Sequence, residues 1–323
     1  VTEHKHLRAL EWVEGVRCVG LRDPDEGARR RVAGRYGIPL EPGEADALVV
    51  AAPPAVHLEA ARGKEPVLVE KPLCLSEEDG RAFEAMARAR TVLVGFHMRH
   101  HRLIREARAM VMAGRLGAVE SLHVRWASPR GDEGLPAWRF RRASGGGALW
   151  EIGVHAYDLW RYLTGLEVES VAAVSRSGSR EDESAEVTAW LSSGALATAS
   201  LSERAPHQIE VEVRGGRGRV QVDCLRFEGF RFHAAGTAPG QARVRLAAAR
   251  RFLTSLPRGL ASMRRGGDYL ESYAAQWRHF REVAAGRAAP LARVADGVLN
   301  SRIARAAAWS AASGGVPCRL SGR

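Results

Sequence analysis

The stretch VLVEKP at residues 67–72 joins a short apolar run directly to a glutamate, a lysine and a proline. Three consecutive β-type apolar residues predict a strand buried on both faces, as in a parallel sheet. Lys71 follows the carboxyl end of that strand, where open α/β sheets bind ligands. The chain has three lysines, at positions 5, 64 and 71, and otherwise uses arginine. Because lysine can lose its proton when buried and arginine cannot, Lys71 is a candidate catalytic residue.

The segments around this stretch predict a parallel sheet. Over residues 17–96, short apolar runs alternate with helical patterns, which is typical of strands joined by helices and covered on both faces. The expected strands are residues 17–21, 47–52, 67–70 and 91–96. The expected helices are residues 26–36, 55–62 and 76–88, and Gly37 is the expected stop of the first.

A second pattern begins near residue 118 and predicts a mostly antiparallel sheet. Its expected strands are residues 121–127, 168–175, 185–191, 196–201, 209–213 and 220–222, with a hairpin at Gly215, Gly216 and Gly218. Helices are expected at residues 269–285 and 293–313. The two patterns predict two domains, residues 1–96 and residues 97–323, and allow the C-terminal helix to pack back on the first domain.

Composition indicates an ordinary globular protein. The chain has 323 residues, of which 46% are hydrophobic, enough for a large core. No apolar run approaches the roughly 20 residues of a membrane helix, and no signal-peptide pattern opens the sequence, so we expect a cytoplasmic protein without a membrane partner. The four cysteines are scattered and form no zinc or redox pattern.

The net charge of +11 raises the question of nucleic-acid binding. The arginines are spread along the whole chain, and no helix-turn-helix or aromatic-basic platform is present, so we expect a solvated basic surface and no specific nucleic-acid partner. Residues 243–265 combine apolar side chains with seven arginines. They could dock on an acidic membrane surface or a partner, but Pro257 and Gly259 favour an interrupted segment that packs on its own subunit or a dimer mate.

Residues 147–163 predict one helix with a polar row. Glu151, His155, Asp158 and Tyr162 are spaced by three or four residues and therefore share a face. A glutamate and a histidine one turn apart also occur as an ordinary helix pair, so a structural role remains an alternative. Glycines at positions 145–147 would let a ligand approach the backbone, and together with Lys71 they favour a functional site.

Five motifs in this order resemble the Gfo/Idh/MocA family of sugar and inositol dehydrogenases, over nearly the whole chain. They are Asp23-Pro24, Ala52-Pro53-Pro54 followed by His57, Glu70-Lys71-Pro72, Gly95-Phe96-His97-Met98-Arg99, and the run from Gly145 to Asp158 that contains Glu151 and His155. The resemblance implies an α/β Rossmann domain joined to an α+β domain with a large, mostly antiparallel sheet. That second domain would carry the substrate and the interface of a homo-dimer or homo-tetramer.

The same resemblance implies an NAD(P)-dependent oxidoreductase. It would transfer a hydride between a secondary alcohol of a sugar, polyol or sugar derivative and a nicotinamide. Lys71 matches the family's catalytic lysine, and Glu151 and His155 stand where the family has an aspartate and a histidine. Asp158 would contact a neighbouring hydroxyl or the lysine. Trp138, or else Trp126 or Trp150, could stack on the sugar ring, although large aromatics more often belong to the core.

The cofactor residues implied by the resemblance lie in the first domain and at its boundary. They are Ala52, Pro53, Pro54, His57, Glu70, Lys71, Pro72, His97 and Arg99. Asp23 would hydrogen-bond the adenosine ribose and favours NAD, whereas Arg22 would accept a 2′-phosphate and keeps NADP as the alternative. Before Pro24, Asp23 equally suits a turn.

Residues 6–10 resemble the first helix of the family, so its first strand and early glycines would precede Val1. We therefore expect a sequence truncated within the dinucleotide-binding motif. Two further alternatives follow from the residues. The substitution at Glu151 suits a catalytically silent dinucleotide-binding relative that acts as a regulator or scaffold. His97, His100 and His101 cluster, but no ligand set accompanies them, so no metal is expected.

Overall fold

The computed structural model describes residues 2–238 and 240–320, so Val1 and Arg323, the predicted limits of the two domains, lie outside the described residues. Strands β1 (Leu48–Val50), β2 (Val67–Val69) and β3 (Val92–Val94) form a parallel sheet in that order. Since β2 and β3 consist of buried apolar residues alone, they suit a sheet covered on both faces. The carboxyl ends of all three strands open at one edge.

In the described part of residues 1–96, four α-helices accompany this sheet, two before β1 and two after its strands. They are α1 (Arg8–Leu10), which continues the π-helical Thr2–Leu7, then α2 (Glu26–Tyr36), α3 (His57–Ala60) and α4 (Glu77–Ala89). Asp25 caps α2 by accepting a hydrogen bond from the Ala28 amide, and Gly37 ends it with φ of 63°, as expected.

The strand expected at residues 17–21 is not part of the sheet. Among the described residues, its backbone makes one hydrogen bond to another segment, of 3.2 Å from the Gly43 amide to the Val19 oxygen. A strand needs a neighbour for each backbone donor and acceptor, and this segment lies without such a neighbour. The apolar pattern alone therefore overestimated its structure.

The rest of the chain forms a larger sheet with helices against it. In chain order its elements are α5 (Arg102–Met112), β4 (Val119–Ala127), α6 (Ala148–Glu151), α7 (Gly153–Thr164), β5 (Val168–Arg176), β6 (Ser184–Leu191), β7 (Leu196–Ser202), β8 (Gln208–Gly215), β9 (Gly218–Asp223), β10 (Phe230–Ala234), α8 (Ala242–Arg264), α9 (Gly267–Ala284), α10 (Val294–Ala312) and β11 (Cys318–Arg319). The strand order is β10-β9-β8-β4-β7-β6-β5-β11. Pairing is antiparallel except between β4 and β7, and Gly215 faces Gly218 across the expected hairpin.

The expected helix at residues 147–163 is two helices. Ile152, with φ of −105°, ends α6 and begins α7. Gly153 follows it, and a glycine at that point lowers the helix propensity where the two segments meet. The break interrupts the polar row, so Glu151 lies in α6 whereas His155 and Asp158 lie in α7.

Helix α8 differs from the expected interrupted segment. It runs without a break through Pro257, and Gly259 fits closely against Phe227, because a Cβ there would lie 2.4 Å from the ring. Arg251 forms an ion pair with Glu106 at 2.8 Å. One face of α8 therefore packs on its own subunit, as expected, while much of its opposite face is exposed.

Helices α9 and α10 cover the two faces of the small sheet. Leu68 and Leu93 pack against α9 residues such as Trp277, whereas Val94 belongs to a cluster with Val298 of α10. The first domain, predicted as residues 1–96, is thus covered by residues 267–312. Within residues 2–238 and 240–320, no helix combines the length and hydropathy needed to cross a bilayer.

Candidate active site

Lys71 lies where the small sheet meets the larger domain. Its Nζ donates a hydrogen bond to the main-chain oxygen of Glu151, 3.0 Å away. Gly95, which follows β3, leaves room for the neighbouring Glu70, because a Cβ at that position would lie 2.9 Å from the Glu70 carboxylate. Burial lowers the pKa of Lys71, and the carboxylates of Glu151 and Glu70 oppose that change. The amine is therefore held in a tight, charge-balanced setting.

His155 is packed between aromatic rings close to Lys71, and these residues line what is called the cleft below. Its imidazole stacks on Trp126 at 4.7 Å between ring centroids and meets His97 edge-on at 5.1 Å. Burial, together with the charges of Lys71 and Arg130, places the pKa of His155 well below 6.5. Its Nδ1 is buried without a hydrogen-bond partner among the described residues. A neutral imidazole with a free nitrogen can accept a proton.

Two arginines hold the Glu151 carboxylate, and no sequence pattern indicated either of them. Arg130 Nη1 lies 2.7 Å and Arg139 Nη1 3.1 Å from the Glu151 Oε2. The other carboxylate oxygen is buried without a partner in the described part of the chain. Both arginines come from the irregular segment between β4 and α6, and in so arginine-rich a chain they have no distinguishing pattern. Glu151 thus approaches Lys71 through its backbone and the arginines through its side chain.

Glu203 adds a second carboxyl that the sequence analysis missed. It directly follows β7 and is buried, with its Oε2 3.6 Å from Arg180 Nη1. Burial, and next the negative charge of Glu151, raise the pKa of Glu203 to about 7. In the sequence, the one feature that could have indicated Glu203 was its position at the end of an expected strand. A group that titrates near neutral pH suits proton transfer, so Glu203 belongs among the candidate residues.

Asp158 and Arg99, which were expected at the substrate and at the cofactor, form a buried ion pair with each other. Arg99 Nη2 lies 2.6 Å from Asp158 Oδ1, and Arg99 Nη1 lies 3.1 Å from Asp296. Both members of the first pair are buried. Burial alone would lower the pKa of Arg99, but the two carboxylates raise it above its ordinary value. Asp158 therefore holds Arg99 instead of facing Lys71 or a sugar hydroxyl, and Arg99 is engaged inside the protein.

His97 closes the inner wall of the cleft. It is fully buried, stacks on Tyr273 at 4.1 Å and has Nδ1 2.8 Å from the Ser272 hydroxyl. Burial, with the charges of His155 and Lys71 in support, places the pKa of His97 well below 6.5. Its Nε2 has no hydrogen-bond partner among the described residues. His97 therefore borders the cleft through His155, while its neighbour Arg99 does not.

The other residues expected at a cofactor have varied surroundings. Ala52 follows β1 at the open sheet edge, and the adjacent Pro53 and Pro54 start a short 3-10 turn. His57 is buried, with its ring nitrogens 2.9 and 3.3 Å from the main-chain oxygens of Ala52 and Leu73. The His57 ring thus connects this loop to the chain after β2. Both of its nitrogens are engaged by these contacts, so neither is left for a ligand.

Glu70 and Pro72, which flank Lys71, are both buried. The Glu70 carboxylate lies 3.0 Å from His6 Nε2. Burial opposes its ionisation, but the hydrogen bond from His6 and the charge of Lys71 give Glu70 a lowered pKa. Glu70 is thus engaged by the N-terminal helix and acts on Lys71 through its charge.

Asp23 and Arg22 lie on the surface, away from the contacts that define the cleft. Asp23 Oδ1 accepts a hydrogen bond of 2.9 Å from the Asp25 amide, the geometry of a turn aspartate. This is the alternative role that the sequence left open. Trp138 is half-buried, with the Arg139 guanidinium 4.9 Å from its ring centroid, and so lies next to an arginine that contacts Glu151.

No cluster of three or more His, Cys, Asp or Glu side chains able to hold a metal ion occurs in residues 2–238 and 240–320. The three neighbouring histidines point to different partners. His97 contacts Ser272, His101 Nε2 lies 3.1 Å from the Cys224 oxygen, and His100 packs beside His279. Their proximity in sequence does not bring their rings together.

Comparison with known proteins identifies the class to which this fold and cleft belong. Residues 104–221 match the family model described as GFO/IDH/MocA C-terminal domain. The Rhizopine catabolism protein MocA of Rhizobium meliloti is 30% identical over 222 residues, which cover 62% of this chain and 68% of that protein. The scyllo-inositol 2-dehydrogenase (NAD(+)) of Bacillus subtilis is 29% identical over 240 residues, or 67% of this chain and 69% of the relative.

A solved structure agrees over nearly the whole chain. The WlbA dehydrogenase of Bordetella pertussis, in complex with NADH and UDP-GlcNAcA, matches with a TM-score of 0.79 and 22% identity, covering 98% of this chain and 94% of that one. At that identity the likeness concerns the fold. The chain therefore belongs to the Gfo/Idh/MocA family of oxidoreductases, which confirms the family and the fold class expected from the sequence.

Proposed function

We propose that this protein is an NAD-dependent dehydrogenase that oxidises a secondary alcohol of a sugar or polyol. The observation that carries the proposal is the proximity of Lys71, which follows β2, to the buried His155 of α7. Proton handling requires such groups, whereas binding alone does not. The relatives named as inositol dehydrogenases support a polyol as the substrate class.

The polar atoms of the cleft suit a nicotinamide and an alcohol. Buried nitrogens of His97 and His155 and one oxygen of Glu151 have no hydrogen-bond partners among the described residues, and a bound ligand would supply such partners. The nicotinamide ring would be bordered by Ala52, at the end of β1, and by His97, after β3. The cofactor, when bound, takes up the hydride that leaves the carbinol carbon.

In the proposed mechanism, the neutral imidazole of His155 takes the hydroxyl proton. Lys71 donates a hydrogen bond to the same oxygen and stabilises the negative charge that develops on it. The Glu151 main-chain oxygen, 3.0 Å from Lys71 Nζ, orients the amine, and Arg130 and Arg139 keep the Glu151 side chain in place.

We further propose NAD over NADP, on the basis of the exposed carboxylate of Asp23, which follows the apolar residues 17–21. A carboxylate there would bind the ribose hydroxyls and repel a 2′-phosphate. The exposed Arg22 is the feature that favours NADP. The choice between them can be measured by fluorescence titration with NADH and NADPH, on the chain as given and on a chain extended upstream by the strand and glycines expected before Val1.

The function is tested by following NAD reduction over a panel of inositols, aldoses and sugar acids. Turnover of at least one polyol or sugar, lost in the Lys71→Ala variant and kept in Lys64→Ala, is the expected result. The alternative function is a catalytically silent dinucleotide-binding protein, which the pairing of Glu151 with two arginines favours. NADH binding without turnover of any panel member would select that alternative, and a folded extended chain that binds neither cofactor would contradict both.

A further inference from the structure

Helix α8 presents a row of leucines on its exposed side. Leu246, Leu253 and Leu260 are spaced by seven residues and are 72%, 65% and 51% exposed. Residues seven apart lie almost on one line along a helix, so the row is about 21 Å long. Gly259 and Ser262 mark the opposite, buried side. The exposed row is therefore separate from the face by which α8 packs on its own subunit.

The charge around this row has one sign. Residues 229–267 contain eight arginines and neither aspartate nor glutamate. Among the described residues, the ion pairs of this segment are those of Arg251 with Glu106 and of Arg265 with Glu271. Arg243, Arg250 and Arg264 are exposed and have no acidic partner in the described part of the chain. Unpaired positive charge thus flanks an exposed apolar row.

We propose that α8 docks on an anionic lipid surface, with its leucines at the boundary between headgroups and acyl chains and its arginines on the lipid phosphates. An exposed apolar stripe flanked by arginines is the arrangement of helices that lie in the plane of a membrane surface. Such a helix does not cross the bilayer, so this partner is compatible with the absence of a membrane-spanning helix in residues 2–238 and 240–320.

Two other occupants fit the same face less well. If α8 paired with α8 of a second copy, the unpaired arginines of both helices would meet, since the segment offers no acid to either. A nucleic acid would match the arginines but would leave the leucine row in contact with polar phosphates. Anionic lipid satisfies both features. The proposal departs from the expectation that the protein has no membrane partner, and it does not depend on the dehydrogenase function.

The test is flotation of the full chain with vesicles of phosphatidylcholine, with and without phosphatidylglycerol. Binding to the anionic vesicles alone is expected. A variant combining Leu253→Glu and Leu260→Glu should lose at least tenfold in affinity, because two leucines leave the apolar phase. Arg243→Gln, Arg250→Gln and Arg264→Gln together should lose about 100-fold, since each arginine near such a surface contributes about fivefold.

The matched control combines Arg81→Gln, Arg88→Gln and Arg115→Gln, three exposed arginines outside α8 that change the net charge equally. This control should bind as the parent does. Hydrogen exchange of the unaltered chain with vesicles should slow within residues 242–264. No binding to anionic vesicles, an equal loss in the control, or leucine variants that keep vesicle binding and instead halve the molecular mass would overturn the proposal.

Discussion

Lys71 Nζ donates a hydrogen bond to the main-chain oxygen of Glu151 at 3.0 Å, and this contact joins the end of β2 to helix α6. The two residues are 80 positions apart, and they come from the small parallel sheet and from the larger domain. The position of the amine therefore depends on the relative placement of both parts. A change that moves α6 will also move the amine away from a bound alcohol.

Replacing Lys71 by alanine should abolish most turnover while the protein keeps its cofactor. Loss of a donor to the developing oxyanion lowers kcat by about 100-fold to 1,000-fold. NADH binding should change little, because the variant removes a group that faces the reacting oxygen. The comparison is kcat and the NADH dissociation constant beside Lys64→Ala, an exposed lysine. A Lys71→Ala enzyme with the parent kcat would remove Lys71 from the mechanism.

The pH dependence of kcat/KM should report the imidazole of His155. Burial holds its pKa below 6.5, so the neutral base prevails at pH 7 and activity should fall only as the pH drops below about 6.5. The free energy of unfolding should also decrease as the pH falls. The His155 imidazole binds its proton at a higher pH in the unfolded chain than in the folded protein, so acid favours the unfolded chain.

The measurement is a pH–rate profile of the parent and of His155→Gln, which should lack the acid limb. Glu203, with its pKa raised to about 7, provides the internal check. A limb near pH 7 that disappears in Glu203→Gln and persists in His155→Gln would assign the proton transfer to the carboxyl instead.

Shortening Glu151 to aspartate should damage this enzyme, although aspartate is the residue expected from the family. The carboxylate would retract by ~1 Å from Arg130 and Arg139, which now lie at 2.7 and 3.1 Å. We expect a loss of about 1–2 kcal/mol in unfolding free energy and a fall in kcat on the order of tenfold. Urea unfolding and steady-state kinetics, with the exposed Glu78→Asp as control, measure both. Higher activity in Glu151→Asp would mean that the arginines do not position the residue.

Asp158 should matter for stability and little for substrate affinity. It shares a buried ion pair with Arg99, and removal of one partner leaves a buried charge without compensation. Arg99→Met should therefore cost about 3–5 kcal/mol in unfolding free energy, and Asp158→Asn somewhat less. The free energy of unfolding, from urea titration, and KM are to be measured at one temperature where each variant is folded. A large rise in KM for Asp158→Asn without a change in stability would restore the substrate role expected from the sequence.

The strand ends could be predicted from the sequence, and the side-chain partners could not. Uninterrupted apolar runs before Ala52, Lys71 and His97 fixed the sheet edge, because runs of that kind need cover on both faces. Arg130 and Arg139 lie in an irregular segment whose path depends on tertiary packing. The break at Ile152 separated Glu151 from Asp158, which an ideal helical period places on one face. Periodicity predicted neighbours along a helix and missed partners from distant segments.

The cover that α9 and α10 give the small sheet has a consequence for how the protein is made. Leu68 and Leu93 emerge from the ribosome about two hundred residues before Leu270 and Trp277, the residues that shield them. During synthesis the small sheet therefore keeps one apolar face exposed to solvent until α9 has been made, and chaperones bind and aggregation begins at such faces. A message cut before the codons of α9 would yield a fragment that the cell degrades, and expression of the protein should depend on chaperone supply more than its final stability suggests.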